Sequence, residues 1–187
     1  MAIHQTLASH ADFTEMDKTA AAHKFCIVYP EGINKSFNAG GCCASNTEDD
    51  LGFARELVHY MQDNERVDNS KVFAMGWSNG GYMAYYLGCR AADLLSAIVV
   101  VGGLAGVDPS GSECRPAVAP RLLHFHETGD PEVNYNGGGV EFISSPDVVA
   151  VWAARQGCGT GQQQLHQGRR KVHDQHWLPS WPQRHTL

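Results

Sequence analysis

Apolar positions along the chain follow two alternating rhythms, one of helices and one of short buried strands. Residues 11–24, ADFTEMDKTAAAHK, set Phe13, Met16, Ala20 and His23 near helical spacing and predict a helix. The run FCIVYP at 25–30 is short, continuous and ended by proline, the pattern of a buried strand. A glycine-rich loop, NKSFNAGGCCASN, comes next. Thr47 can then cap a helix whose first turn holds Glu48, Asp49 and Asp50, acids suited to the positive end of the helix dipole. Leu51, Ala54, Val58 and Met61 recur on one face of it. KVFAMG (71–76) predicts a strand, and NGGYMAYYLGCR (79–90) a helix with Met83, Tyr86 and Leu87 on one side. LLSAIVVVGG (94–103) contains another buried strand, and RLLHFHETGD (121–130) a strand running into a loop. SPDVVAVWAARQGC (145–158) predicts a last helix, with Ser144 or Ser145 as its cap and Gly157 near its stop.

Strands alternating with helices imply an α/β layered domain, a mostly parallel sheet with helices on both faces. The tail departs from this pattern. Residues 159–187 are rich in Gln, His and Arg and hold no apolar run of strand length. Such a segment buries too little surface to offset the entropy of ordering it, so it is expected to be poorly ordered. One domain is thus expected over 1–158, followed by an atypical tail over 159–187.

Composition narrows the function. With 43% hydrophobic residues in 187, the chain can fill one core. The net charge of -6 argues against a nucleic-acid partner, since Arg169-Arg170-Lys171 is the lone basic cluster. No apolar run reaches the roughly 20 residues that cross a bilayer, so no membrane partner is expected. The start, MAIHQTLASH, has neither the basic residues nor the apolar core of a signal peptide. Cys26, Cys42, Cys43, Cys89, Cys114 and Cys158 contain no C-x-x-C pair. Their even number and wide spacing fit disulfides in an oxidising compartment, with the pairing left open; buried free thiols are the alternative.

Gly76-Trp77-Ser78-Asn79-Gly80 matches G-x-S-x-G, between a predicted strand and a predicted helix. In that context the glycines let strand and helix backbones approach, the turn lifts the serine hydroxyl above the sheet, and the next amide faces a developing oxyanion. The plainer alternative is a glycine turn in a non-catalytic α/β protein. A nucleophilic serine needs a base and an acid that orients it, in the order Ser, Asp or Glu, His. Asp130, in the loop ETGDPEV after a strand, is the candidate acid; a turn-forming Asp before proline is the alternative. Asp147 fits a first-turn helix residue better.

Four stretches carry a resemblance: YPEGINKSFNAGGCC (29–43), MGWSNGGYMAYYLGC (75–89), LLHFHETGDPEVNYNGG (122–138) and VVAVWAARQGC (148–158). In order and approximate spacing they resemble the polyhydroxybutyrate depolymerase and feruloyl esterase family of secreted α/β-hydrolases. The resemblance implies an extracellular serine carboxylesterase acting through an acyl-enzyme on polyester or on phenolic esters of plant polysaccharide. No cofactor and no metal is implied. It sets Ser78 on the nucleophile, Asp130 on the acid and the Asn79 amide on one oxyanion donor. The family's second donor comes from a loop after a His-Gly pair; here His4 matches the His, Gln5 stands for the Gly, and Thr6 is the candidate donor. The family's catalytic His lies in a His-x-Trp-Pro setting, and His176 in HWLPSWP is nearest to that. The expected α/β-hydrolase fold is therefore incomplete at its N-terminal core strand and at its C-terminal His-bearing strand.

His166, His173 and His185 are the other tail histidines, while His124 and His126 precede Asp130 on a strand and are expected to be packed or hydrogen-bonded there. His173 and His176, at i and i+3, lack the further ligands a metal needs. Trp77 and Tyr135 are the candidate substrate contacts, YNGG (135–138) bordering the acyl site or forming a plain turn. Two other functions compete with the esterase. One is an impaired relative with the serine but no working base; the other is a non-catalytic module that uses Trp77, Phe37 and Tyr135 for sugar or phenolic rings.

Overall fold

The computed structural model describes residues 2–3, 14–42, 47–138, 143–158, 163–165 and 174–176, the backbone alone at 2–3, 163–165 and 174–176. Four strands, β1 (Ala2–Ile3), β2 (Phe73–Trp77), β3 (Ala97–Val101) and β4 (Arg121–Phe125), form one sheet in that order. All three pairings are parallel, and the register sets Gly76 beside Val100 and Val100 beside His124. The helices are α1 (Met16–His23), α2 (Asp50–Asn64), α3 (Asn79–Arg90) and α4 (Ser145–Arg155). This is the parallel α/β architecture that the alternating pattern predicts.

One face of the sheet presents Ala74, Ile98, Val100 and His124, all buried. Helix α3 lies against that face, with Gly81 over Val100 and Gly88 over Ile98. It is buried almost all round, with only Tyr86 and Arg90 reaching outward, as a helix does when neighbours enclose it. Trp152 of α4 packs edge-on to Tyr85 of α3, and its indole N–H donates to the Pro120 carbonyl at 2.8 Å. On α2 the predicted apolar face is the packed one, with Ala54 and Val58 buried. The opposite face of β2 is more open: Phe73 is 49% and Trp77 39% exposed.

Capping follows local chemistry in detail. Ser144 caps α4, accepting from the Asp147 amide, and Asp147 sits in the first turn as expected. On α2 the cap is Asp49 rather than Thr47; its carboxylate accepts from the Gly52 amide at 2.8 Å. Residues 25–30 form no strand. An apolar run becomes a strand only where a neighbouring backbone pairs with it, and the edge of β2 is taken by β1. In the tail, β5 (Gln163–Leu165) and β6 (Asp174–His176) pair antiparallel, and β6 runs close beside β4. These two short strands are the described part of the tail; the rest of 159–187 lies outside the described residues.

Cys89 and Cys114 form a disulfide that ties the end of α3 to the loop after β3, and Cys42 is also disulfide-bonded. Cys26 and Cys158 are free thiols, Cys26 exposed and Cys158 part-buried, so the disulfide reading holds for part of the set and neither free thiol is a buried one. Arg155 of α4 donates to the carbonyls of Pro109 and Cys114, closing the same corner. No described helix is long and apolar enough to cross a membrane.

His124 sits in the core with both ring nitrogens used, Nδ1 with the Tyr85 hydroxyl at 2.9 Å and Nε2 with Ser145 Oγ at 2.7 Å. Burial, helped by neighbouring His126, pushes it down from 6.5 to about 3. Unfolding therefore takes up a proton between these two values, and stability falls as pH drops through 6.5 toward 3, while above 6.5 the residue adds no pH dependence. One such proton is worth at most about 1.4 kcal/mol per pH unit. Urea unfolding between pH 6.5 and 4.5 should show a shallower loss of stability in His124→Gln than in the wild type; equal slopes would contradict this role.

Candidate active site

Ser78 joins β2 to α3 in a conformation a side chain rarely adopts, with φ 53° and ψ −122°. Holding a non-glycine residue there costs on the order of 1–3 kcal/mol and persists only where the surroundings fix it. The surroundings do fix it. The Ser78 amide donates to the Val101 carbonyl at the end of β3 at 2.9 Å, and the Ser78 carbonyl accepts from the Gly81 and Tyr82 amides. A Cβ on Gly76 would lie 1.9 Å from the Gly80 carbonyl oxygen, so the turn closes only with glycine there. The hydroxyl of Ser78 does not cap the helix.

Asn79 is the first residue of α3, so its amide has no carbonyl one turn back to donate to. Its orientation toward the helix's positive end suits an anion, as an oxyanion donor requires. The side chain of Asn79 does something the sequence does not announce. Its Oδ1 accepts from the Phe37 amide at 2.8 Å and its Nδ2 donates to the Phe37 carbonyl at 3.0 Å. One buried amide thereby satisfies both backbone groups of a residue 42 positions away and straps the loop before α2 onto the elbow. Asp50 holds the next residue, accepting from the Asn38 amide at 2.6 Å.

Asp130 follows β4 in the loop that β4 feeds. Its Oδ1 accepts from the Glu132 and Val133 amides, each at 2.9 Å. Its Oδ2 is turned the other way, toward Gly102, where a Cβ would lie 3.5 Å from both Asp130 Oδ2 and Trp77 Nε1. Gly102 itself has φ +54° and donates its amide to the Phe125 carbonyl at 2.8 Å. Ser78, Gly102 and Asp130 thus stand at the carboxyl ends of three adjacent strands. Carboxyl ends of parallel strands are where open α/β sheets bind ligands.

Tyr82, one turn into α3, was not singled out by any motif. Burial and the charge of Asp130 push its phenol up to about 12, so it stays neutral beside the acid. Trp77 is the partly exposed aromatic of this crevice. Tyr135 is half-buried, its ring meeting His126 edge-on at 5.7 Å, and its own carbonyl accepts from the Ser145 amide, which makes it part of the acid-loop wall. His124 and His126 are packed in the sheet as expected, engaged with Ser145 and Val133. His176 ends β6, with its side chain outside the described residues; His4, Gln5 and Thr6, and His166, His173 and His185, are outside them altogether. Among the described residues no group of three or more His, Cys, Asp or Glu could hold a metal. A cavity of about 610 Å³ on the flank, between Tyr86, Arg90, Asp108 and Glu113, is walled by the far half of α3 and is not this crevice.

The chain matches the prolyl oligopeptidase family over residues 49–137, a span that holds both Ser78 and Asp130. It is 32% identical to feruloyl esterase B of Piromyces equi over 139 residues, covering 70% of this chain and 25% of that protein. It is 31% identical to feruloyl esterase C of Emericella nidulans over 113 residues, 60% of this chain and 38% of that one. The chain thus spans between a quarter and two fifths of the length of these two relatives.

Two consequences are measurable. Ser78→Gly and Ser78→Ala both remove the hydroxyl, but only glycine relieves the backbone strain, so the Gly variant should be the more stable by about 1 kcal/mol. Equal melting temperatures would mean the elbow is not strained in solution. Asn79→Ala leaves the buried amide and carbonyl of Phe37 without partners and should cost about 2 kcal/mol or more in urea unfolding; a cost under about 0.5 kcal/mol would show that the strap does not hold. With its parallel sheet, its G-x-S-x-G elbow and these relatives, the chain belongs to the α/β-hydrolases and is similar to the feruloyl esterases among them.

Proposed function

We propose that this chain is a serine carboxylic-ester hydrolase. The observation that carries the reading is the strained turn of Ser78, held by Val101 at the same sheet end as the Asp130 loop. A protein has no structural need to hold a serine at φ 53°, whereas a nucleophile elbow does. Ser78 Oγ attacks the ester carbonyl while a histidine takes its proton, and Asp130 Oδ2 orients that histidine. The tetrahedral oxyanion is held by the Asn79 N–H, with Thr6 as the second donor. The histidine returns the proton to the leaving alcohol, and water then releases the acyl group from Ser78 by the reverse sequence.

His176 is the proposed base. Its support is positional: β6, which it ends, runs close beside β4, the strand that leads into the Asp130 loop. The working unit is then the 1–158 domain together with this part of the tail. Phenolic esters are the favoured substrates over hydroxyalkanoate polyesters, because the relatives are named feruloyl esterases and Trp77 offers a partly exposed indole beside Asp130. A phenolic ring stacks on such a surface, whereas an aliphatic polyester gains less from it. The disulfide of Cys89 and Cys114 supports an extracellular setting. A second reading, an impaired relative, is favoured by one fact: both described histidines near Asp130, His124 and His126, are engaged elsewhere.

Methyl ferulate and a hydroxybutyrate trimer test the reading side by side. Turnover of the ferulate in preference to the trimer is expected, with Asp130→Asn lowering kcat by about 10³- to 10⁴-fold. No turnover of either ester by a cooperatively folded chain would favour the impaired relative.

A further inference from the structure

His126 is fully buried at its side chain, two residues beyond the core histidine His124 and four before Asp130. Its Nε2 lies 2.7 Å from the Val133 carbonyl. A carbonyl can only accept, so Nε2 carries a hydrogen and donates it. Its Nδ1 is buried without any hydrogen-bond partner. Orphaning a buried ring nitrogen costs free energy, and a structural histidine in a core normally uses both, as His124 does. The bond that His126 does make therefore has a purpose beyond its own satisfaction.

The bond closes a ring of contacts around Asp130. Val133 is held at both backbone groups: its carbonyl accepts from His126 Nε2 and its amide donates to Asp130 Oδ1. The Glu132 amide donates to the same oxygen, and the Asp130 amide donates to the Glu127 carbonyl at 3.2 Å. With Val133 fixed, Oδ1 is taken by two amides and the carboxylate cannot turn. Oδ2 is left facing Gly102 and the indole of Trp77, 3.6 Å from His126 Nε2. We propose that His126 is a positioning residue for Asp130: its bond to Val133 locks the acid loop so that Oδ2, and not Oδ1, is presented to the catalytic base. The inference rests on the esterase reading for its purpose, but the locking itself is a property of the fold.

The residue is chosen by reach. His126 Nε2 reaches the Val133 carbonyl across the loop at 2.7 Å, and the T-shaped contact with Tyr135 sets the imidazole plane at 89° to that ring. Glutamine has a donor at a similar distance from the backbone, and leucine has the bulk without the donor.

Two readouts on His126→Leu and His126→Gln decide the matter. Hydrogen exchange of the Glu132 and Val133 amides should be at least 10-fold faster in the Leu variant, and return toward the wild-type rate in the Gln variant. Hydrolysis of methyl ferulate should lose about 10- to 100-fold in kcat with KM little changed in the Leu variant, and recover in part in Gln, since a misplaced catalytic group costs of this order. Unchanged exchange at both amides in a cooperatively folded Leu variant would overturn the inference, whether or not the chain hydrolyses esters. So would a Gln variant no better than Leu in exchange. If the Leu variant does not fold, the Gln variant decides alone: wild-type exchange at the two amides supports the lock, and exchange raised to the level of the flanking loop removes it. A wild type that hydrolyses no ester removes the esterase reading and leaves the exchange result to decide the lock.

Discussion

Strand β2 and helix α3 meet with no room for a side chain between them. A Cβ at Gly76 would fall 1.9 Å from the Gly80 carbonyl, and a Cβ at Gly103 would fall 2.9 Å from the Ser78 carbonyl. Gly76 lets the chain turn from strand to helix in one residue, Gly103 lets the loop after β3 approach that turn, and Ser78 takes the strain of it. The rest of the fold holds this turn in place. The parallel register brings Val101 level with Trp77, so the Val101 carbonyl is where the Ser78 amide needs it. Burial of α3 on nearly every side keeps the helix from backing away. Strain at Ser78 is thus sustained by its own backbone hydrogen bonds together with the packing of β3 and α3 that keeps their partners in place.

The second constraint is the fixing of loops at the carboxyl end of the sheet. Loops there would be free to wander, since their backbone groups have no partners in the sheet. Side chains from the core take up those groups. Asn79 satisfies both backbone atoms of Phe37, Asp50 takes the Asn38 amide, Asp130 takes the Glu132 and Val133 amides, and His126 reaches the Val133 carbonyl. Three of these four residues are buried, and the exception, Asp130, has one oxygen inside its loop and the other turned to the crevice. The Phe37 and Val133 backbones are thus tied to the buried side chains of Asn79 and His126, while Asp130 draws its own loop together.

Much of this was legible in the chain, for physical reasons that differ by element. Helix α2 and helix α4 carry apolar faces at a period that only a helix satisfies, and β2, β3 and β4 are short apolar runs between helices. The elbow was legible because its glycines have one structural reason to be there. FCIVYP misled because apolarity sets burial but pairing makes a strand, and pairing is not written locally. Thr47 and Asp49 both fit a cap, and the choice between them depends on where the incoming loop delivers the chain. The side-chain roles of Asn79 and His126 depend on contacts with residues 37 and 133, one of them 42 positions away, and no local pattern encodes such a meeting.

The central claim is that Ser78 is an activated nucleophile and not a turn residue. Intact mass of the purified chain after exposure to a fluorophosphonate, with Ser78→Ala alongside, tests it directly. One covalent adduct per chain, absent from the Ala variant, is the result the account predicts. A chain that melts cooperatively and takes up no adduct would contradict it.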